Sequence, residues 1–417
     1  MVICVCGLGY VGLPQALLLH EAGMEVIGYD KKYISMRDGS PLPFKLYNNF
    51  FPDADVYIIC VPTPFKKVNK TSAVHDVFIK IADLSAVWEV VQEIKNGLKD
   101  SHKTVLIEST VPVGTTQLIK SYLGKNVLVA YCPERVFPGK TEKHEMINNC
   151  RIIGVSGDNN DKDHHEIAEQ EFTAAKEIYS SFIKSEIIKA TYEEAEAAKL
   201  IENTYRDINI AFANEVGEYC QRTGIDFWRL QELVNKHPRV NLLSVGTGVG
   251  GHCIAVDPYF LTAPYNDETG EQFIFSTAVC ARNRNELQPF IHLDRIEAIM
   301  AAHEIDRVAI MGISYKPDID DCRESPAMKI AESLPIDDNW GECGIYDPNI
   351  KKYRDLYLAV GGSELLIFTV AHSDFDNLDP DYLLALMNAN FIYDCCGAIS
   401  RSKFEKAGFF VYGFPKE

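Results

Sequence analysis

Over the first third of the chain, short apolar runs alternate with amphipathic stretches. Val2–Cys6, Glu25–Asp30, Asp55–Val61, Thr104–Ser109, Val127–Cys132 and Ile152–Val155 are rich in Val and Ile, and several are apolar throughout. Strands buried on both faces of a parallel sheet read this way. Leu13–Glu21 and Ser85–Leu98 carry the helical period between them, which gives the βαβ alternation of a doubly wound fold. From about Tyr192 to Arg222 the helical period is strong and Gly and Pro are almost absent. That length predicts a helix bridging two domains. Ile225–Asn235 adds a shorter helix, and Ser244–Cys253 is a glycine-rich loop. Gln272–Ala302 is a second long helical stretch, which Pro289 is expected to kink or split. Strand–helix alternation then returns. Arg307–Ile313, Gly344–Asp347, Leu365–Thr369, Phe391–Asp394 and Phe409–Tyr412 read as strands, and Ser325–Ser333 as a helix with Pro326 in its first turn. The expected architecture is α/β: two doubly wound, Rossmann-like domains joined by a central segment of long helices, with divisions at 1–188, 189–303 and 304–417.

Composition narrows the class. With 47% hydrophobic and 24% charged residues, the chain reads as an ordinary globular protein. Its formal net charge of -18 argues against nucleic acid or an anionic membrane as the main partner. The apolar N-terminus lacks a basic leader and is broken by Gly7, Gly9, Gly12 and Pro14, unlike a signal peptide. No run of about 18 apolar residues suggests a membrane span. The 12 cysteines include no CxxC pair, so zinc-ribbon spacing is absent and no metal site is expected. Reduced thiols in a cytoplasmic protein are the simplest expectation, with Cys4, Cys6 and Cys60 as inert core residues.

Two segments carry chemistry. Gly7-Leu8-Gly9-Tyr10-Val11-Gly12 is a GxGxxG that follows a strand and opens a helix. The glycines permit a tight turn, close approach of a pyrophosphate, and close helix–strand packing, while the helix N-terminus supplies amide donors. Asp30 ends the second strand, where a carboxylate meets the adenosine ribose and disfavours a 2′-phosphate. The expected cofactor is therefore NAD. The alternative is a glycine turn with a solvated Asp. Further along, Gly246, Gly248, Gly250 and Gly251 precede Cys253 in a loop that lets main-chain amides approach a ligand and exposes the thiol. The bland alternative is a flexible loop with an incidental Cys. Lys199, Asn203 and Arg206, at i, i+4 and i+7, share one helix face. Most such stripes are solvated, but Ala195, Ala197, Ala198, Leu200 and Ile201 around them predict a packed helix whose polar stripe needs anionic company.

Longer motifs extend these. GLGYVGLP (Gly7–Pro14), VPTP (Val61–Pro64), ESTVPVGTT (Glu108–Thr116), CPERVFPG (Cys132–Gly139), KLIENTYRDINIAFANE (Lys199–Glu215), HPRVN (His237–Asn241), GVGGHCIAVDP (Gly248–Pro258) and KPDIDDCRESPA (Lys316–Ala327) occur in this order. By these motifs the chain resembles the UDP-glucose/GDP-mannose dehydrogenase family almost end to end. CPERV, HPRVN and GGHCIAVDP are most similar to the branch that oxidises UDP-N-acetyl-D-mannosamine.

The resemblance implies a four-electron oxidation of a UDP-sugar C6 alcohol to a carboxylate, in two NAD steps, with Cys253 forming a thiohemiacetal and then a thioester. It implies Lys199 as acid/base or alkoxide stabiliser, Asn203 as oxyanion donor, and Glu134 and Asp257 as candidates to position the hydrolytic water. Arg135, Val136, Arg206, His237, Arg239, Gly250 and Lys316, together with Lys199 and Asn203, are the implied substrate-binding set. Thr63, Thr110 and Arg323 are placed beside the cofactor, with Gly7, Gly9, Tyr10, Val11, Gly12 and Asp30. A homodimer built on the long helix is expected, with His237 and Arg239 reaching the partner's site.

Three departures from the family pattern carry their own expectations. The stretch between Asp30 and Val56 is short, which predicts a first sheet one strand short. Val245-Gly246 stands where Pro-Gly is usual, which predicts a looser loop. Asp394-Cys395-Cys396 lacks the basic residue often found there. Rival readings are the same chemistry on UDP-glucose, UDP-N-acetylglucosamine, UDP-N-acetylgalactosamine or GDP-mannose, a two-electron hydroxyacid dehydrogenase yielding one NADH, and a non-catalytic nucleotide-sugar or NAD sensor. NADH yield and turnover separate them.

Overall fold

The computed structural model describes residues 1–36, 39–71, 76–98, 102–136, 142–157, 162–251, 253–261, 275–334 and 344–417. Residues 137–139 of the CPERVFPG run, His252, and residues 272–274 of the second long helical stretch lie outside the described residues. The chain divides into two compact units, Met1–Glu202 with Tyr259–Ile274, and Asn203–Pro258 with Phe275–Glu417. Among the described residues no helix is long and apolar enough to cross a membrane.

The first unit runs β1 (Val2–Cys6), α1 (Gly12–Glu21), β2 (Glu25–Tyr29), β3 (Lys45–Tyr47), β4 (Val56–Ile59), β5 (Phe65–Thr71), β6 (Asp76–Ala82), α2 (Ser85–Gly97), β7 (Lys103–Ile107), α3 (Thr115–Leu123), β8 (Val127–Tyr131), α4 (Glu142–Asn148), β9 (Arg151–Val155), α5 (Lys162–Tyr179) and β10 (Ile187–Thr191). Its sheet has the order β10-β9-β8-β7-β4-β1-β2-β3, and β5 pairs antiparallel with β6 outside it. Successive side chains of a strand point to opposite faces. Ile3 and Val5 therefore enter one core, and Cys4 and Cys6 the other, where both thiols are fully buried.

Two expectations are corrected here. The first sheet is not one strand short: Lys45–Tyr47 pairs in parallel with β2 at its edge. A three-residue edge strand needs only one buried face, so it leaves little apolar signal. The sheet is also not wholly parallel, because β9 pairs antiparallel with β8, and β10 follows β9.

The second unit takes up α6 (Tyr192–Thr223) from Asn203 onward, then α7 (Phe227–Val234), α8 (Ser276–His303), β11 (Val308–Met311), α9 (Pro326–Ser333), β12 (Gly344–Tyr346), α10 (Leu356–Val360), β13 (Leu365–Phe368), α11 (Pro380–Leu386), β14 (Phe391–Asp394), α12 (Arg401–Lys406) and β15 (Phe410–Gly413). Its sheet is parallel, in the order β12-β11-β13-β14-β15. Pro289 does not split α8, which continues through it. A proline leaves the carbonyl four residues earlier without its helical donor. That carbonyl, of Asn285, faces Gly248 of the glycine loop, where a Cβ would come within 3.2 Å of it.

Both sheets share one topological property. In open α/β sheets ligands bind beyond the carboxyl ends of the strands, where the strand order reverses. That point lies between β1 and β4 in the first unit and between β11 and β13 in the second.

Candidate active site

The glycine turn sits at the first unit's reversal point. Gly7 has φ 90°, and a Cβ on it would lie 2.7 Å from the carbonyl oxygen of Cys60, in the loop after β4. A Cβ on Gly12 would lie 1.9 Å from the Gly7 carbonyl oxygen, so only glycine lets α1 start this close to the strand. Gly9 and Tyr10 are exposed, and a Cβ on Gly9 would meet nothing within 4 Å. Space for a diphosphate against bare backbone is therefore present at an α-helix N-terminus that includes Val11. Asp30 braces the turn: its carboxylate accepts from the Leu8 and Lys32 amides, each at 2.9 Å. Thr63 follows β4 and Thr110 follows β7, and Ser109 links their loops by donating to the Val61 carbonyl at 2.7 Å. These residues fit a dinucleotide.

A second cluster in this unit surrounds a residue that sequence reasoning missed. Arg151, at the start of β9, is 3% exposed. Its guanidinium lies 2.8 Å from the Glu134 carboxylate and 3.8 Å from that of Glu108. It donates to the Cys132 and Pro133 carbonyls at 3.2 Å each, and it stacks 4.6 Å over the Tyr179 ring. Glu108 in turn accepts from Gln15 at 2.5 Å and from the Tyr179 hydroxyl. Burial pushes the Glu108 carboxyl up, opposed by Arg151. The Cys132–Glu134 segment is thereby fixed, and Lys199 Nζ donates to the Glu134 carbonyl. The Glu134 carboxylate also accepts from the Arg135 amide at 2.7 Å. The Arg135 guanidinium pairs with Glu202 at 2.7 Å, and Val136, beside it, is half-buried.

In the second unit Cys253 is exposed. Its carbonyl accepts from the Val256 and Asp257 amides at 3.1 and 2.9 Å, a turn that places Asp257 one step behind the thiol. Asp257 is 3% exposed and Asn203 6%. The Asn203 side-chain amide donates to the Asp257 carboxylate at 2.5 Å. Arg206, half-buried and one turn further along α6, is pulled below its usual pKa by burial, opposed by the charges of Cys253 and Tyr315. Two of the loop glycines are required by packing within the protein. A Cβ on Gly250 would stand 2.6 Å from the Glu324 carbonyl oxygen, and one on Gly251, at φ 76°, 2.9 Å from the Tyr315 ring. The expected loosening at Val245-Gly246 is absent. Val245 is buried beside Phe414, the Gly246 amide donates to Asn214 at 3.0 Å, and its carbonyl accepts from Gln288 and His292 at 3.0 and 3.2 Å.

A cavity of about 330 Å³ opens at this unit's reversal point. Lys316 and Tyr315 line it from the loop after β11, Thr369 and Val370 from the loop after β13, and Gly246 and Gly248 from the glycine loop. The Lys316 loop is held from below, where the buried Asp347 carboxylate accepts from the Ile313 and Ser314 amides at 2.8 and 2.9 Å. Arg323 is forked onto Asp321 at 2.7–3.0 Å. His237 and Arg239 are exposed, after α7.

The three domains of the UDP-glucose/GDP-mannose dehydrogenase family match in order: the NAD binding domain over residues 35–183, the central domain over 193–285 and the UDP binding domain over 309–401. The chain is 35% identical to a UDP-N-acetyl-D-mannosamine dehydrogenase of Methanocaldococcus jannaschii, over 98% of this chain and 95% of the relative. It is similar to the structure of a UDP-D-ManNAc dehydrogenase from Pyrococcus horikoshii, with 29% identity, a TM-score of 0.82 and 99% of each chain covered. A UDP-N-acetyl-mannosamine dehydrogenase from Staphylococcus aureus gives 31% identity and a TM-score of 0.80, over 99% of this chain and 98% of that one. The matching domains follow one another along the chain, and NAD binding falls on the unit whose glycine turn fits a dinucleotide. The chain belongs to the UDP-glucose/GDP-mannose dehydrogenase family and is an NAD-dependent nucleotide-sugar dehydrogenase.

Proposed function

We propose that this chain oxidises UDP-N-acetyl-D-mannosamine to UDP-N-acetyl-D-mannosaminuronate through a covalent intermediate on Cys253. The observation that carries the covalent reading is the exposed Cys253 thiol on a turn whose Asp257 is tied to Asn203, with the Arg206 charge beside it. A cation favours the thiolate, the nucleophilic form. NAD, when bound at the Gly7–Gly12 turn, accepts one hydride at each of two oxidations.

The residues divide the work. Lys199 stabilises the alkoxide or acts as acid/base as the C6 alcohol becomes an aldehyde. The Cys253 sulfur adds to the aldehyde carbon, and Asn203 donates to the oxygen of the thiohemiacetal. Loss of a second hydride leaves a thioester. Water then attacks, with Asp257 and Glu134 as the candidates to order it, and releases the acid and the free thiol. Arg151 keeps the Glu134 carbonyl in place for Lys199.

The β11/β13 cavity is assigned to the nucleotide, with Lys316 and Arg206 meeting its phosphates. Arg135, Val136, Gly250, His237 and Arg239 complete the substrate set, Arg135 through its pair with Glu202. Thr63, Thr110 and Arg323 are assigned to the cofactor. The functional division is placed at 1–188, 189–303 and 304–417. The protein is read as a cytoplasmic homodimer, supported by the α6 face that carries Tyr205, Phe212 and Tyr219, 67%, 57% and 57% exposed at intervals of seven. In such a dimer His237 and Arg239 serve the partner's site.

The sugar is inferred from the substrate named for the Methanocaldococcus, Pyrococcus and Staphylococcus relatives and from the His237–Asn241 run. The test is relative kcat/KM with NAD for UDP-N-acetylmannosamine, UDP-glucose, UDP-N-acetylglucosamine and UDP-N-acetylgalactosamine. UDP-N-acetylmannosamine should lead. A tenfold preference for any of the others removes the assignment while leaving the reaction type intact.

A further inference from the structure

The cavity between β11 and β13 holds a cation that no motif announces. Lys416 lines it together with Lys316, Trp228 and Cys396. Lys416 is a surface residue, but its backbone is pinned. Its amide donates to the Ile399 carbonyl at 2.9 Å and its carbonyl accepts from the Arg401 amide at 2.5 Å, so it bridges in parallel with Ser400. Its Nζ lies 5.4 Å from the centre of the Trp228 ring, within cation–π range.

Trp228 is fixed in turn. Its indole N–H donates to the Phe414 carbonyl at 2.8 Å, and its ring packs on Gly397, where a Cβ would come within 2.2 Å. The turn beneath is rigid as well, because the buried Asp394 carboxylate accepts from the amides of Cys396, Gly397, Ala398 and Ile399 at 2.9–3.1 Å. That turn itself carries no basic side chain, and the Lys416 charge bears on Cys396 within it. In a chain of net charge -18, two lysines converging on one cavity mark a place for a dense anion.

We propose that Lys416 is a substrate-binding residue: a second cation that, with Lys316, neutralises the diphosphate of the nucleotide-sugar. This rests on the reading of the cavity as the nucleotide site. A lysine acts here as a point charge, without the fixed fork of an arginine. Binding should therefore depend on charge and salt more than on the exact side chain.

The test is calorimetric titration of the full-length protein with UDP, at low and high salt, for the unmodified chain, Lys416→Met, Lys416→Arg and Lys316→Met. The proposal expects Lys416→Met to weaken UDP about tenfold, equal to about 1.4 kcal/mol, with the gap closing as salt rises. Lys416→Arg should remain within about threefold of the unmodified chain, and NAD affinity should not change. If Lys416→Met binds UDP normally while Lys316→Met does not, Lys416 is idle and the proposal falls while the cavity assignment stands. If neither Lys316→Met nor Lys416→Met alters UDP binding, the cavity assignment falls and takes the proposal with it.

Discussion

Asn203 donates its side-chain amide to the Asp257 carboxylate, 54 positions away in the chain, at 2.5 Å, joining α6 to the turn that begins at Cys253. The bond sets both side chains at once, and each has a role in the proposed reaction. Asp257→Asn should slow turnover by about 10²–10³-fold, chiefly at thioester hydrolysis. Rapid mixing should then show a burst of NADH approaching two per active site before a slow steady state. An equally slow reaction with no burst would place Asp257 in the first oxidation instead.

A buried histidine makes the glycine loop sensitive to acid. His292 Nε2 lies 3.2 Å from the Gly246 carbonyl oxygen and 3.0 Å from the Gln288 side-chain nitrogen, and its Nδ1 lies 2.9 Å from the Tyr393 hydroxyl. Burial, with Arg295 and Arg284 nearby, lowers its pKa to about 3. The folded protein thus holds His292 neutral. Its stability contribution is intact above the unfolded value near 6.5 and is lost as pH falls from there toward 3. Between pH 7.5 and 5 the loss is about 2 kcal/mol. Urea unfolding of the unmodified chain and His292→Gln should show the difference narrowing by that amount over this range. Parallel pH profiles would count against it.

Much of this was legible in the sequence. β1, β4 and β8 are buried on both faces and read as apolar runs. α6 shows itself by a helical period that holds one glycine, Gly217, and no proline, and the glycine turn by its spacing. The Arg151 cluster was not legible, because an arginine heading a strand looks solvated until the fold brings Glu108, Glu134 and Tyr179 around it. From the sequence the glycines before Cys253 give room for a ligand; the fold adds that Gly250 and Gly251 also clear the Glu324 carbonyl and the Tyr315 ring. That second role depends on a contact between segments more than 60 residues apart. β3 escaped because Lys45-Leu46-Tyr47 is too short to show a period.

The exposed face of α6 predicts assembly. Tyr205, Phe212 and Tyr219 should be covered in a dimer, since obligate interfaces bury large apolar areas. Light scattering at micromolar concentration should give twice the 46.8 kDa chain mass. Phe212→Glu with Tyr219→Glu should shift it toward the monomer. A monomeric, fully active unmodified chain would remove the interface.

Asp30 predicts cofactor choice. NAD should be used in preference to NADP, and Asp30→Ala should narrow the ratio of kcat/KM values by about tenfold as repulsion of the 2′-phosphate is relieved. Because Asp30 also braces the Leu8 amide, the KM for NAD should rise in the same variant. Equal use of both cofactors by the unmodified chain would contradict the reading.

The covalent four-electron reaction is tested most directly by counting NADH against a limiting, known amount of UDP-N-acetyl-D-mannosamine run to completion with excess NAD. The thioester route through Cys253 requires two NADH for each sugar consumed, and Cys253→Ala should form no acid while still binding NAD. One NADH per sugar, or acid formation by Cys253→Ala at the unmodified rate, would contradict it.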